Sequence, residues 1–174
     1  MDNAQSLENG SSSDNDRLII IGSGSTALKL YKIAVIFGYN ITVMDNRGEN
    51  LTRKRFPKAG ERLRGDVVQL LRDYDITART SIIIVNHNRE LDEGLLQVAI
   101  QSKARYIGVL GNSRKTTDSL IKLKATGLED KLIERVHIPV GLGLSEGRGT
   151  DTALAAMAEI NSRFRKDTIE APLP

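Results

Sequence analysis

The sequence predicts an α/β fold of the Rossmann-like type, a doubly wound parallel sheet between two helical layers (αβα), with strand order 3-2-1-4-5 and a sixth strand as an optional edge. Three observations carry this expectation. Unbroken apolar runs at residues 18–21 and 82–85 alternate with stretches of helical period, and such runs mark strands covered on both faces. The first run opens into G-S-G-S-T-A, from Gly22 to Ala27. Here Gly22 makes a tight turn, Gly24 lets a pyrophosphate approach the backbone, and Ala27 lets helix and strand pack closely. Another apolar run, Ile41, Val43 and Met44, closes on Asp45, near the roughly 20-residue spacing at which a carboxylate reaches a ribose 2′-hydroxyl.

Taken in order, residues 1–16 are polar and rich in Ser, Asn and Asp, so they read as a disordered tail that cannot offset its ordering entropy by burial. Residues 17–165 form a single dinucleotide-binding domain and 166–174 a second tail. After the glycine turn, Ala27, Leu30, Tyr31, Ala34 and Val35 recur at helical spacing and Gly38 stands at the helix end. Ile41, Val43 and Met44 make the second strand. Residues 46–58 are basic and broken by Gly48 and Pro57, which predicts a loop with a short helical turn. The charged residues 61–64 suit an edge strand. Asp66 N-caps a helix through Leu71. Residues 81–85 form the fourth strand, and Leu91, Leu95, Leu96, Val98 and Ala99 place a helix over 89–102. Residues 106–110 are the fifth strand. Asn112 or Ser113 opens a helix to Ala125, with Leu120, Ile121 and Leu123 inward and Gly127 beyond its end. Residues 136–142 are extended but carry Pro139, which places them at an edge. A glycine-rich loop then leads to a last helix over 150–164.

Composition narrows the function classes. The chain has 174 residues, 40% apolar and 27% charged, with a formal net charge of +3 and no cysteine. This is one ordinary globular domain without disulfides, thiolate nucleophiles or cysteine metal ligands. No apolar run approaches the roughly 18 residues that span a bilayer, and no signal pattern opens the chain. A cytoplasmic protein with no membrane partner is expected. Aromatic residues are few, so the run Arg53, Lys54, Arg55 reads as a solvated face and no nucleic acid partner is expected. The two histidines are far apart in sequence with no cluster to complete a ligand set, so no metal is expected.

The ligand crevice of such a fold lies at the carboxyl ends of strands one and four, where the winding reverses. Strand one delivers Gly22, Ser23, Gly24 and Ser25, and strand two delivers Asp45, Asn46 and Arg47. Asp45 repels a 2′-phosphate, which favours NAD over NADP; Arg47 keeps NADP open, because a guanidinium pairs well with phosphate. Strand four delivers Asn86 and His87, followed by Asn88 and Arg89. His87 has the pKa range of a general acid or base, while the plainer alternative is a loop in which Asn88 caps the next helix. Strand five delivers Gly111, Asn112, Ser113, Arg114 and Lys115. Small donors and two cations at a helix start suit an anion. His137 beside Pro139 reads as a structural histidine.

In sequence order, GSGSTALKL, ITVMDNR, RFP, ARYIGVLGNSRK and RVHIPVGLGL resemble the Rossmann domain of the xanthine dehydrogenase accessory proteins, the XdhC/CoxI family. The resemblance covers residues 17–164. It implies a protein that helps molybdenum hydroxylases acquire their sulfurated molybdenum cofactor, with Ser113, Arg114 and Lys115 at an anion site related to that molybdopterin-type cofactor. Ser25 stands where the family commonly has histidine and Gly143 where aspartate is usual. Three functions follow as expectations. The first is a nucleotide-binding accessory protein partnering a molybdenum hydroxylase. The second is a small NAD(P)-dependent oxidoreductase with His87 or Lys115 as catalytic proton donor, its site completed by a homodimer. The third is a nucleotide-sensing regulatory domain.

Overall fold

A computed structural model of the chain describes residues 16–85, 89–110, 118, 121, 124, 125, 127–141 and 149–164, with the side chains of 89–93 left aside. The described elements are β1 (Arg17–Ile21), α1 (Ser25–Ile36), β2 (Asn40–Asp45), β3 (Glu61–Arg64), α2 (Val67–Asp73), β4 (Thr80–Ile84), α3 (Arg89–Gln101), β5 (Tyr106–Val109), α4 (Asp130–Ile133), β6 (Val136–His137) and α5 (Gly149–Phe164). The strands form one six-stranded sheet in the order β3-β2-β1-β4-β5-β6, and every pairing is parallel. The doubly wound order read from the sequence is the order found, with the sixth strand included.

Alternation along the strands sorts their side chains into two cores. Leu18 and Ile20 of β1, with Val43 and Ile83, pack under α1 through Ala27, Leu30, Tyr31 and Ala34, and under α5 through Ala153, Ala156, Met157 and Ile160. Ile19 and Ile21, with Met44, Ile82 and Ile84, face the other way, against Val67 and Leu71 of α2 and Leu95, Leu96, Ala99 and Ile100 of α3. Leu18, Ile20, Ile21, Ile82, Ile83 and Ile84 are fully buried. Each such side chain contributes roughly 1.5–3 kcal/mol of transfer free energy, which makes the continuous apolar runs the source of the three-layer architecture.

Local chemistry fixes the ends of the elements. Asp66 caps α2, its Oδ1 accepting from the N–H groups of Val68 at 2.9 Å and Gln69 at 3.2 Å. Arg62 of the edge strand β3 donates to the carbonyls of Phe56 and Ala59, tying the loop after β2 to the sheet. Arg135 donates to the carbonyls of Ile100, Ser102 and Ala104, closing the end of α3 where helix carbonyls lack partners. Asp16, the only described residue of the polar segment 1–16, accepts the Asn40 N–H at its carbonyl.

Several details differ from the sequence reading. β4 begins one residue early, because Thr80 pairs with Arg17 of β1. Ile121, expected inward, is 59% exposed. Residues 118, 121 and 125 lie three and four apart, so Ile121 shares the exposed face of Asp118 and Ala125. The rest of the helix expected over 112–125 lies largely outside the described residues. α4 was not anticipated, its four residues being too short for a periodic signal. β6 ends after two residues at a cis Ile138–Pro139 bond. No helix among the described residues is long and apolar enough to cross a membrane.

Candidate functional site

β1 and β2 end side by side, and the turn between β1 and α1 is built from what glycine permits. Gly22 has φ +114, a conformation costly for any residue with a Cβ. A Cβ there would also lie 3.0 Å from the Val85 carbonyl oxygen. Both constraints require glycine. Gly24 is different: it is exposed, and a Cβ there would meet no atom of the described residues within 4 Å. Gly24 is also the N-cap of α1, without any side-chain cap bond. The first-turn N–H groups of a twelve-residue helix thus lie at the exposed Gly24 and Ser25, with the positive end of the helix dipole behind them.

Ser23 is 2% exposed and Asp45 6% exposed, and the two are bonded twice. The Ser23 N–H donates to Asp45 Oδ2 at 2.7 Å and its hydroxyl to the same oxygen at 2.6 Å. The Arg47 N–H donates to Asp45 Oδ1 at 2.8 Å. Burial pushes this carboxyl up, but the Ser23 hydroxyl, the Arg47 and Ser23 N–H groups and the Arg47 charge outweigh it and hold it below its ordinary value of 3.8. Asp45 is therefore a fixed anion that staples the end of β2 to the glycine turn. Asn46 and Arg47 follow it at the exposed surface.

Two contributors were not anticipated in the sequence. Arg55, read as a solvated charge, reaches the turn: its Nη2 lies 3.4 Å from the Ser23 carbonyl oxygen, and its Nε is buried without a hydrogen-bond partner among the described residues. The motif RFP held the only signal, because Phe56 is fully buried and anchors its neighbour inward. Gly149 at the start of α5 abuts α1, since a Cβ there would lie 2.7 Å from Thr26 Oγ1. The amino ends of the two helices meet beside the turn.

The structure therefore brings together Gly22, Ser23, Gly24, Ser25, Asp45, Asn46 and Arg47, the half of the site expected from β1 and β2. Asn86, His87, Gly111, Asn112, Ser113, Arg114 and Lys115 lie outside the described residues. The chain leading into them is described. The Val85 N–H donates to the Ile21 carbonyl at 2.9 Å and the Leu110 N–H to the Ile84 carbonyl at 2.8 Å, so β4 and β5 run to the same carboxyl end of the sheet as β1.

Comparison with known proteins agrees with this architecture. The chain is 25% identical over 144 residues to a probable xanthine dehydrogenase subunit of Bacillus subtilis, covering 83% of the chain and 42% of that protein. It is 25% identical over 146 residues to the molybdenum cofactor insertion chaperone PaoD of Escherichia coli, covering 84% of the chain and 39% of the chaperone. A crystal structure of a xanthine dehydrogenase from Bacillus halodurans superposes with a TM-score of 0.75 at 26% identity, over 91% of this chain and 45% of that one. The chain thus spans less than half the length of each of these proteins. The sequence model described as the XdhC Rossmann domain matches residues 18–160. With the sheet order and the glycine turn in agreement, the chain belongs to the XdhC Rossmann domain family.

Proposed function

We propose that this domain binds a dinucleotide in the crevice at the carboxyl end of the sheet, as part of the apparatus that assists molybdenum cofactor insertion into a molybdenum hydroxylase. The observation that carries the reading is Gly24, open to solvent at the uncapped start of α1, where backbone N–H groups and helix dipole favour a pyrophosphate. The buried charge on Asp45 disfavours a 2′-phosphate, so NAD is preferred to NADP. Asp45 Oδ1 accepts one described bond, from Arg47, and a carboxylate oxygen has capacity for a second, here from a ribose hydroxyl. The molybdenum side of the proposal rests on the relatives named as a cofactor insertion chaperone and a xanthine dehydrogenase subunit. A molybdopterin-type group as a second ligand belongs to the same reading, with Ser113, Arg114 and Lys115 as its anion contacts. Delivery by binding, without a reaction of the domain's own, suffices for this role.

Isothermal titration of the full chain with NAD, NADP and molybdopterin tests the crevice. NAD binding that weakens about tenfold in Asp45→Asn supports the ribose contact, and unchanged affinity in a folded variant removes it. If no nucleotide binds at millimolar concentration, the dinucleotide reading fails. Co-purification with a molybdenum hydroxylase tests the partner separately.

A further inference from the structure

The amino end of the sheet, opposite the glycine turn, holds a group of titratable side chains with no part in the nucleotide reading. A cavity of about 870 Å³ opens there, walled by Arg105 ahead of β5, Lys131 and Arg135 from α4 and its end, His137 of β6, and Arg163 with Phe164 at the end of α5. Two carboxylates, Glu134 and Glu159, also line it.

The bonds within this group decide which charges remain for a ligand. Glu159 is 5% exposed; one oxygen lies 3.0 Å from His137 Nδ1 and the other accepts the Gly141 N–H at 2.8 Å. Both its oxygens are hydrogen-bonded internally, leaving the exposed Glu134 as the wall's carboxylate without a bond among the described residues. Arg105 is fixed, its guanidinium 4.0 Å above the Phe164 ring and 3.0 Å from Asp16. Arg135 is fixed by three backbone carbonyls. Lys131 is exposed, and Arg163 is half exposed with its Nε a long 3.7 Å from Glu159. With Arg105 paired to Asp16, one rigid cation, Arg135, and two adjustable ones, Lys131 and Arg163, remain for a ligand.

His137 supplies the directional group. The Tyr106 ring stacks on it at 4.6 Å and 6°, and the bond from Nδ1 to Glu159 fixes the tautomer with the lone pair on Nε2. Burial and Arg163 push the imidazole below its ordinary value, against the pull of Glu159, so the ring is neutral near pH 7. A ligand that fits must bring negative oxygens for the cations and a proton for Nε2. A carboxylate has no proton to offer at that pH. A phosphate, whose second pKa of about 6 lies close to that of an imidazole, brings negative oxygens and, through its monoanion, an exchangeable proton, and its oxygens point to several walls at once.

We propose that this cavity is a second ligand site, separate from the crevice, for a small molecule carrying a phosphate group that shares a proton with His137 Nε2 while Lys131 and Arg163 close on its oxygens. Glu159 behind the ring stabilises the imidazolium whenever the proton rests there, so phosphate binding raises the apparent pKa of His137.

The chain has two histidines, so imidazole NMR of the full-length protein resolves the question, with His87→Asn assigning the signals. Inorganic phosphate should shift the His137 resonances saturably, whereas chloride or acetate at matched ionic strength should not. Lys131→Ala or Arg163→Ala should raise the half-saturating concentration roughly threefold to tenfold, and Glu134→Gln, which removes a repelling charge, should lower it. An equal shift with chloride or acetate, no saturable shift with phosphate, or unchanged half-saturation in both cation variants would overturn the proposal. These signals are independent of nucleotide binding at the glycine turn.

Discussion

Asp45 keeps its charge while almost fully enclosed because three hydrogen bonds converge on its two oxygens, two of them from Ser23. Ser23→Ala removes a charge-assisted donor and should cost about 1–3 kcal/mol in urea denaturation. The pH dependence separates two groups. His137, depressed from 6.5 in the folded chain, contributes stability that is complete above 6.5 and lost as pH falls through its lower folded value. Asp45, depressed from 3.8, contributes stability present above 3.8 and lost on further acidification. Thermal melts across pH should show His137→Gln flattening the upper part of the decline and Asp45→Asn the lower part. An unaltered profile in either variant contradicts its assignment. At this scale the sequence disclosed Asp45 through its spacing from the glycines. It concealed the role of Ser23, which looks like any small residue of the turn. It also concealed Arg55, whose direction depends on the burial of its neighbour Phe56.

The elements that could be read were those whose residues carry a period. β1, β2 and β4 announce themselves through β-branched residues, β5 as a short apolar stretch, and α1 through Ala27, Leu30, Tyr31 and Ala34. The less legible pieces are short or depend on contacts distant in sequence: α4, and β6 with its two residues. β5 also contains a position whose need for glycine is purely steric. A Cβ on Gly108 would lie 2.7 Å from Val140 Cγ2 and 3.0 Å from Tyr106 Cε1, and both neighbours are buried. Gly108→Ala should therefore overpack the seam between β5 and the segment after β6, at a cost of about 1–3 kcal/mol. Val140→Ala, destabilising alone, should cost less in the Gly108→Ala background. Additive losses in a double-mutant cycle would show that the two positions do not meet.

For the molecule as a whole, the order β3-β2-β1-β4-β5-β6 sets the crevice at the reversal beside β1, and the alternating apolar and helical stretches were enough to foresee it. Residues 111–115, expected from the sequence at the end of the fifth strand, lie outside the described residues. If NAD occupies the crevice, it stabilises the folded chain by about 2.7 kcal/mol at a hundredfold excess over Kd. Differential scanning fluorimetry should register this as a rise in Tm that Asp45→Asn diminishes. The contact between α1 and α5 has a further consequence, for biosynthesis. The helix that follows the first strand is covered by Ala153, Ala156, Met157 and Ile160 from the last described helix. During translation, this face of α1 and β1 must wait on the ribosome without its α5 cover until residues 149–164 have emerged. A nascent chain stalled before Gly149 should accordingly recruit holding chaperones and resist release in soluble form, whereas one held on an added C-terminal linker long enough to clear Phe164 from the exit tunnel should fold while still tethered.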